Sequence, residues 1–443
     1  MRFGTDGIRG RAGVELTESV AAALGRAVVR ELGARRVIVG RDTRESGPVL
    51  ERALVAAIAA EGAVAESLGV APTPAVAHAS RAASAPGIAI TASHNPWTDN
   101  GLKVFAAGGT KLDDDAQVRL EVALARELGA GAPPAPAAAA ASGDARVLAW
   151  RRDLVAGVRA DALSRLHVVV DAAHGACSGH AAAVLSALGA TVTSVHDAPD
   201  GRNINDGCGA THPAAVAAAT RAAGADLGVA FDGDGDRLIA VDHEGGIVDG
   251  DRLLAIAAMR MRDRGELRGG AVAVTVMTNL GFHRAMREAG IGVVVTPVGD
   301  RAVLAALEAH DLALGGEQSG HIVYRDRATT GDGLLAAVQL ALTVAERGPL
   351  RDLARAAMTP MPQVLVNVRV EGDAHGVADA IAPDVDAARR ALGDDGRVLV
   401  RASGTEPVLR VMVEAASDAT ARRVADEIAA IAARAAGRTP HEG

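Results

Sequence analysis

Aromatic side chains are almost missing from this chain of 443 residues, which has two Trp, one Tyr and four Phe, 2% of the whole. A core must therefore be built from Ala, Val, Leu and Ile. Recognition of single-stranded nucleic acid through stacked rings has too few rings to be assembled. Cysteine is equally scarce. Cys177 and Cys208 cannot supply a disulfide framework or a Cys-rich zinc centre, and are expected to be reduced and structurally incidental. Positive charge is in deficit: 46 Lys and Arg against 54 Asp and Glu give a net charge of -8. That disfavours a polyanionic partner but leaves room for a local basic pocket around a small phosphate. No apolar run approaches about 18 residues, so no membrane-spanning helix is expected. The N-terminal MRFGTDGIRGRAG has no apolar signal core, which points to the cytoplasm. What remains is an ordinary globular composition, 49% hydrophobic and 23% charged, in a chain long enough for roughly two to four domains.

The first 125 or so residues alternate helical and strand patterns. Helices are expected over 19–34, 46–61 (with Ser46 as N-cap) and 115–128, and strands over 36–40 and 87–91. An Ala/Pro-rich stretch, 128–143, reads as a linker. The alternation then resumes: strands over 167–171, 191–195 and 227–231, helices over 179–188 and 213–223, and a hairpin over 237–250 turning at Gly245 and Gly246. A third block begins near Asp249, with strands over 271–276 and 292–296. The last 80 or so residues group strands over 363–370, 397–401 and 408–414 around one helix, with a closing helix over 418–436. The reading is three doubly wound-like α/β domains with mixed or mainly parallel sheets, at 1–145, 146–247 and 248–361, and an α+β domain at 362–443.

Four motifs carry chemistry. Asp232-Gly233-Asp234-Gly235-Asp236-Arg237 follows a buried strand. Three carboxylates spaced by two share a side if extended, and the glycines let the chain bend so that they converge, which a hard cation such as Mg²⁺ would neutralise. A solvated acidic turn is the competing reading. Thr91-Ala92-Ser93-His94-Asn95-Pro96 leaves a strand where parallel sheets bind ligands, so Ser93 is a candidate nucleophile or phosphoryl carrier; a simple turn cap competes. Arg401-Ala402-Ser403-Gly404-Thr405-Glu406-Pro407, followed by Arg410, has the hydroxyls, backbone N–H groups and guanidinia of a phosphate cup, or of a plain polar turn. In Gly315-Gly316-Glu317-Gln318-Ser319-Gly320-His321, alternation would put Glu317, Ser319 and His321 on one side of an extended segment, suited to a hydroxyl- or amine-bearing sugar. Arg9 could neutralise a phosphate. Lys103 could act as a base if partly desolvated.

TASHNP, DGDGDR, GEQSGH and RASGTEP in this order, one per expected domain, resemble the α-D-phosphohexomutase superfamily over essentially the whole chain. FGTDGIRG and Gln318 are similar to the members that act on amino sugars. The resemblance implies a four-domain architecture and conversion of glucosamine 6-phosphate into glucosamine 1-phosphate, for amino-sugar and cell-wall synthesis. It implies phosphorylated Ser93, one Mg²⁺ per subunit on Ser93, Asp232, Asp234 and Asp236, and a glucosamine 1,6-bisphosphate intermediate. Lys103 would be the base and Arg9 would stabilise charge. His94, Arg237, Arg301, Glu317, Ser319, His321, Arg401, Ser403, Gly404, Thr405 and Arg410 would hold the phosphosugar. A homodimer is also implied; the first phosphorylation of Ser93 is left open between a kinase, a bisphosphate and the protein itself. A phosphoglucomutase or phosphomannomutase of the same superfamily, a metal-dependent phosphatase, and a sugar-phosphate-binding protein without turnover are the alternatives.

Overall fold

The computed structural model describes residues 7–129, 138–370, 372–402 and 407–437. It contains three mixed sheets and one antiparallel sheet. The first has strands β1 (Ile8–Arg11), β2 (Arg36–Arg41), β3 (Val64–Val70), β4 (Gly87–Ile90), β5 (Asp99–Phe105) and β6 (Ala141–Ser142) in the order β1-β5-β4-β2-β3-β6. β4, β2, β3 and β6 pair in parallel, and β5 lies antiparallel between β4 and β1. The second has β7 (His167–Asp171), β8 (Thr191–Val195), β9 (Leu227–Phe231), β10 (Leu238–Asp242) and β11 (Ile247–Val248) in the order β11-β10-β9-β7-β8. The third, β13-β12-β14-β15, is formed by β12 (Ala271–Thr275), β13 (Gly292–Thr296), β14 (Leu314–Gly316) and β15 (Ile322–Tyr324). β16 (Gln363–Arg369), β17 (Gly396–Ala402) and β18 (Val408–Ala415) make the fourth, with β18 in the centre.

By internal packing the chain divides into two units, Met1–Met277 with Gly290–Ala357, and Thr278–Ala289 with Met358–Gly443. The helix Leu280–Glu288 belongs to the second. Its first N–H donates to the Glu414 carboxylate of β18, and Asn279 Nδ2 donates to Met361 O at 3.0 Å. Each unit has its own aliphatic core. One is built on residues such as Leu24, Leu54, Ile58, Ile88 and Leu120, the other on Val368, Val411, Val413 and Ile428. A core without rings relies on many small branched contacts, and Ala fills the spaces between them.

Several expected elements differ in detail. Ser46 does precede the helix Gly47–Ala60, but it sits in the αR region and makes no cap bond. Its hydroxyl instead accepts from Asn100 Nδ2 at 2.8 Å. The 128–143 linker contains an edge strand, β6, beside β3. Between β16 and β17 lie two helices, Ala374–Ala380 and Ala382–Leu392, rather than one. Pro383, in the first turn of the second helix, cannot donate the i→i−4 bond that would make them continuous. β3, β5 and the helix Thr73–Ala83 went unforeseen: Glu66 and Ser67 interrupt the apolar pattern of β3, and Pro72 and Pro74 disguise the helix start.

Candidate active site

β4 and β9 both end at the carboxyl edges of their sheets, where the chain must turn and side chains are free to face a ligand. β4 delivers Ser93, which is 1% exposed and has a left-handed backbone at φ 54°. A non-glycine residue holds that conformation only when its surroundings over-determine it. Here they do. Ser93 N donates to Thr91 Oγ1 at 2.8 Å, and Thr91 Oγ1 donates to Asp42 Oδ2 at 2.7 Å. Arg44, fully buried against Asp42, donates to the carbonyls of Ser93, Asn95, Pro96 and Asp99. From the segment after β8, Asn205 Nδ2 reaches the Ser93 and Asn95 carbonyls at 2.9 and 3.1 Å. Burial raises the Asp42 carboxyl above its ordinary pKa even beside Arg44.

β9 delivers the acidic segment, which is a turn rather than an extended strand: Gly235 N donates to Asp232 O, with Gly235 at φ 72°. The glycines are required by close approach. A Cβ on Gly233 would lie 2.6 Å from Ser93 O, and one on Gly235 2.5 Å from Cys177 Sγ. The carboxylates converge through the bend itself. Asp232, Asp234 and Asp236 are 0, 1 and 5% exposed, and each offers an oxygen within 4.8 Å of the others. Ser93 Oγ donates to Asp232 Oδ2 at 2.6 Å. Thr73 Oγ1 and Lys103 Nζ donate to Asp234 Oδ2 at 2.6 and 2.8 Å, and Lys103 also reaches Asp236 Oδ2 at 3.2 Å.

The charges in this turn are unequally settled. Burial, together with Asp236 and Asp234, drives Asp232 well above the usual carboxylate range. Burial would also raise Asp236, but Lys103 and His321 hold it well below that range. Asp234 Oδ1 and Asp236 Oδ1 are buried with no hydrogen-bond partner. Buried carboxylate oxygens without donors are what a hard divalent cation needs, so the residues present fit one.

The other expected site residues divide into three groups. Some lie beside Ser93 and the carboxylates. His94 Nδ1 is 3.4 Å from Ser93 Oγ, and burial with the charges of Arg237 and Arg9 lowers its pKa to about 4. Arg237 N donates to Asp232 Oδ1 at 3.2 Å, while its Nε is buried with no hydrogen-bond partner. Arg9 lies on β1, opposite Gly101 of β5.

A second group departs from expectation. Glu317, Ser319 and His321 are not in an extended segment: they form the tight turn joining antiparallel β14 and β15, closed by Glu317 N→His321 O and Gly320 N→Glu317 O. Glu317 Oε1 accepts from Gly299 N, and Ser319 Oγ is buried with no hydrogen-bond partner. His321 turns inward, 3.7 Å from Asp236 and 3.9 Å from Asp300; despite burial, Asp236 raises its pKa to about 9. Arg301 is occupied by Gln117, Leu112 O and Asp114.

The third group is in the second unit. Arg401 of β17 faces Arg410 of β18 directly across the ladder. Burial, then Arg410, lowers the Arg401 pKa. Ser403, Gly404 and Thr405 lie outside the described residues.

Sequence reasoning missed Asp42, Arg44, Thr73 and Asn205, which fix the loop and the turn. Arg41-Asp42-Thr43-Arg44 at the end of a predicted strand was the available signal. Asn205, an uncharged residue in a turn-prone stretch, gave none. Both cysteines are free and buried, as expected. Among the described residues, no helix is long and apolar enough to cross a membrane.

Family comparisons agree with this geometry. Models of phosphoglucomutase/phosphomannomutase alpha/beta/alpha domains I, II and III match residues 1–128, 151–246 and 249–361, and the C-terminal domain model matches 365–431. A curated phosphoglucosamine mutase of Frankia alni is 51% identical over 97% of each chain. That of Rhodococcus jostii is 48% identical over 96% of this chain and 98% of its own. A crystal structure of a phosphoglucomutase/phosphomannomutase family protein from Burkholderia thailandensis superposes with a TM-score of 0.81 at 27% identity, covering 98% of both chains.

Proposed function

The chain belongs to the phosphoglucomutase/phosphomannomutase family, and on that premise we propose that it interconverts glucosamine 6-phosphate and glucosamine 1-phosphate through phospho-Ser93 and a 1,6-bisphosphate. The observation that carries this reading is Ser93 Oγ, 2.6 Å from Asp232 Oδ2 in a loop clamped by Arg44 and Asn205. A turn cap has no use for such a scaffold. The relatives named phosphoglucosamine mutase at 48–51% identity support glucosamine as the sugar.

Asp232, Asp234 and Asp236, with an oxygen on Ser93, would hold Mg²⁺. When bound, the cation would offset phosphoryl charge, the main requirement of a loose phosphoryl-transfer transition state. In the first half-reaction the sugar O1 forms a bond to phosphorus as the P–Oγ bond of phospho-Ser93 breaks. In the second, Ser93 Oγ forms a bond to the phosphorus of the 6-phosphoryl group as the P–O6 bond breaks; Asp232 Oδ2, its hydrogen-bond acceptor, would take the Ser93 hydroxyl proton, and the departing O6 would take up a proton to leave as the sugar hydroxyl. Arg237 and Arg9 supply positive charge near the transferred group, and His94, neutral at physiological pH, adds a hydrogen-bonding ring. Lys103, between Asp234 and Asp236, neutralises the turn in this geometry; it serves as the base for the sugar hydroxyl only from its unprotonated form. Arg401 and Arg410 would hold the phosphate that is not being transferred, so the bisphosphate must reverse between the two halves.

Intact mass with and without substrate, for the wild type and Ser93→Ala, tests this directly, beside a coupled assay on glucosamine 6-phosphate and glucose 6-phosphate. Expected are one phosphate on Ser93, its loss together with nearly all turnover in Ser93→Ala, and faster turnover of the amino sugar. Undiminished isomerisation by Ser93→Ala would sink the mechanism. Faster glucose turnover would make the chain a phosphoglucomutase. Release of free phosphate in place of the isomer would make it a phosphatase.

A further inference from the structure

Along the helix Thr73–Ala83, whose first residue bonds the carboxylate turn, lies a cavity of about 200 Å³ bounded by that helix, the helix Asp144–Leu154 and the segment after β15. Its apolar wall is Pro74, Ala77, Trp150, Leu154 and Leu335. Trp150, one of only two Trp in the chain, is 2% exposed. The polar groups at its rim are unequally paired. Asp153 is held by His78 at 2.7 Å, and Asp326 by Arg268. Arg81 makes no hydrogen bond or ion pair among the described residues, and Arg327 commits only one guanidinium nitrogen, to the carbonyls of Asp153 and Leu154. Both acids therefore have partners, while Arg81 and Arg327, exposed at the mouth of the apolar hollow, keep donors uncommitted to other side chains. That combination selects a negative head on an apolar body, of roughly ten to fifteen non-hydrogen atoms for such a volume.

Both walls end on the metal-binding turn. Thr73, the first residue of its helix, bonds Asp234 twice, by N→O at 2.9 Å and Oγ1→Oδ2 at 2.6 Å. Trp150 Nε1 donates to Asp332 Oδ2 at 3.0 Å, Asp332 caps the helix Gly333–Arg347, and Gly333 N donates to Gly235 O at 3.0 Å. We propose that this cavity is a second ligand site, for a small organic monoanion with an apolar body, and that its occupancy is felt at Asp234 and Gly235. Such a ligand would separate or draw together two elements whose first residues position the carboxylates, so its binding and that of a cation would be linked reciprocally.

The test uses the full chain with Trp97→Phe, which leaves Trp150 as the only indole, titrated with 3-phenylpropanoate and with its uncharged amide. Expected is a saturable change in Trp150 emission with the acid, about ten-fold weaker for the amide and about ten-fold weaker for the acid in Arg81→Gln/Arg327→Gln, the scale of one lost charge-assisted contact. The acid should also shift the Mn²⁺ concentration for half-loading of the unphosphorylated protein several-fold. Equal binding of acid and amide, undiminished binding by the double variant, or no saturable change overturns the anion site. An unmoved Mn²⁺ midpoint with the cavity saturated overturns its link to the turn. Neither arginine touches the catalytic groups, so turnover of the double variant should match the parent.

Discussion

The Ser93 carbonyl accepts hydrogen bonds from Arg44 and Asn205 in a loop where almost every backbone acceptor is spoken for, whereas on β17 Arg401 faces Arg410 with its Nε buried and without a hydrogen-bond partner. Like charges directly opposite on a sheet are unfavourable. The first region stores its stability in internal contacts and keeps Ser93 in one rare backbone conformation. The second sets two like charges against each other, an arrangement that a bound anion would relieve. A mutase has reason to divide labour in this way. In the proposed reaction the group that transfers phosphorus would have to be fixed to a fraction of an ångström, while a group gripping the other phosphate would have to release and regrip it each time the intermediate turned.

Mutations should separate the two regions by what they damage. The largest effect on rate belongs to Asp232→Asn. Losing one carboxylate beside Ser93 should cost turnover roughly a thousand-fold, on the scale of removing one preorganised electrostatic contact. Yet the unfolding free energy should hold or rise, because burial and two neighbouring carboxylates already oppose the charge. A coupled assay paired with urea unfolding checks both halves; a large loss of stability would mean the turn is held by its charge rather than by its glycines. Next is Arg44→Met, where the order reverses. It strands Asp42 in a fully buried position and removes four hydrogen bonds to loop carbonyls, so stability should fall by about 3–5 kcal/mol, with phospho-Ser93 occupancy falling alongside. If Arg44→Lys restored both, the bidentate fork would be dispensable and the clamp argument wrong.

How much of this contrast was legible beforehand depended on whether a residue advertises its chemistry. Ser93, the three Asp and the two Arg of the C-terminal hairpin stood out because their motifs occur together and in order, although the Ser93 and Arg motifs taken singly read equally well as turns. β7, β8, β9 and the helix Asp418–Ala436 were read to the residue because apolar runs and caps agreed. Tertiary context decided the rest. Asp42 and Arg44 look like any charged strand end until β4 is placed beside β2. Glu317, Ser319 and His321 alternate in sequence, but the β14–β15 pairing imposes a turn that sends His321 inward, and no periodicity announces it. Lys103 drew attention as a base, and only the fold shows it lodged between two carboxylates.

In the second region, Arg401→Gln should leave the fold untouched, or slightly more stable, since it relieves the opposition to Arg410. The Michaelis constant should rise about ten- to hundred-fold with kcat changed much less, the loss of one charge-assisted phosphate contact. Equal falls in kcat and kcat/KM would place Arg401 with the transferred phosphate instead and erase the proposed division.

The smallest effect is a proton effect confined to the same unit. Burial, and then the charges of Arg397 and Arg287, hold His283 below its ordinary pKa. The unfolded chain therefore binds a proton more readily than the folded one. The stability contributed by the neutral ring is present above the unfolded pKa, about 6.5, and is lost as the pH falls through that value toward the folded one. Glu414 works the other way, since burial raises its pKa in spite of Arg397, so a bare pH titration mixes opposite signs. Comparing wild type with His283→Gln between about pH 7.5 and about pH 5.5 isolates the histidine. The wild type should lose more stability on acidification than the variant, by less than any effect above, with no change in kcat at either pH. Parallel stability profiles would show that His283 opens to water without unfolding the unit.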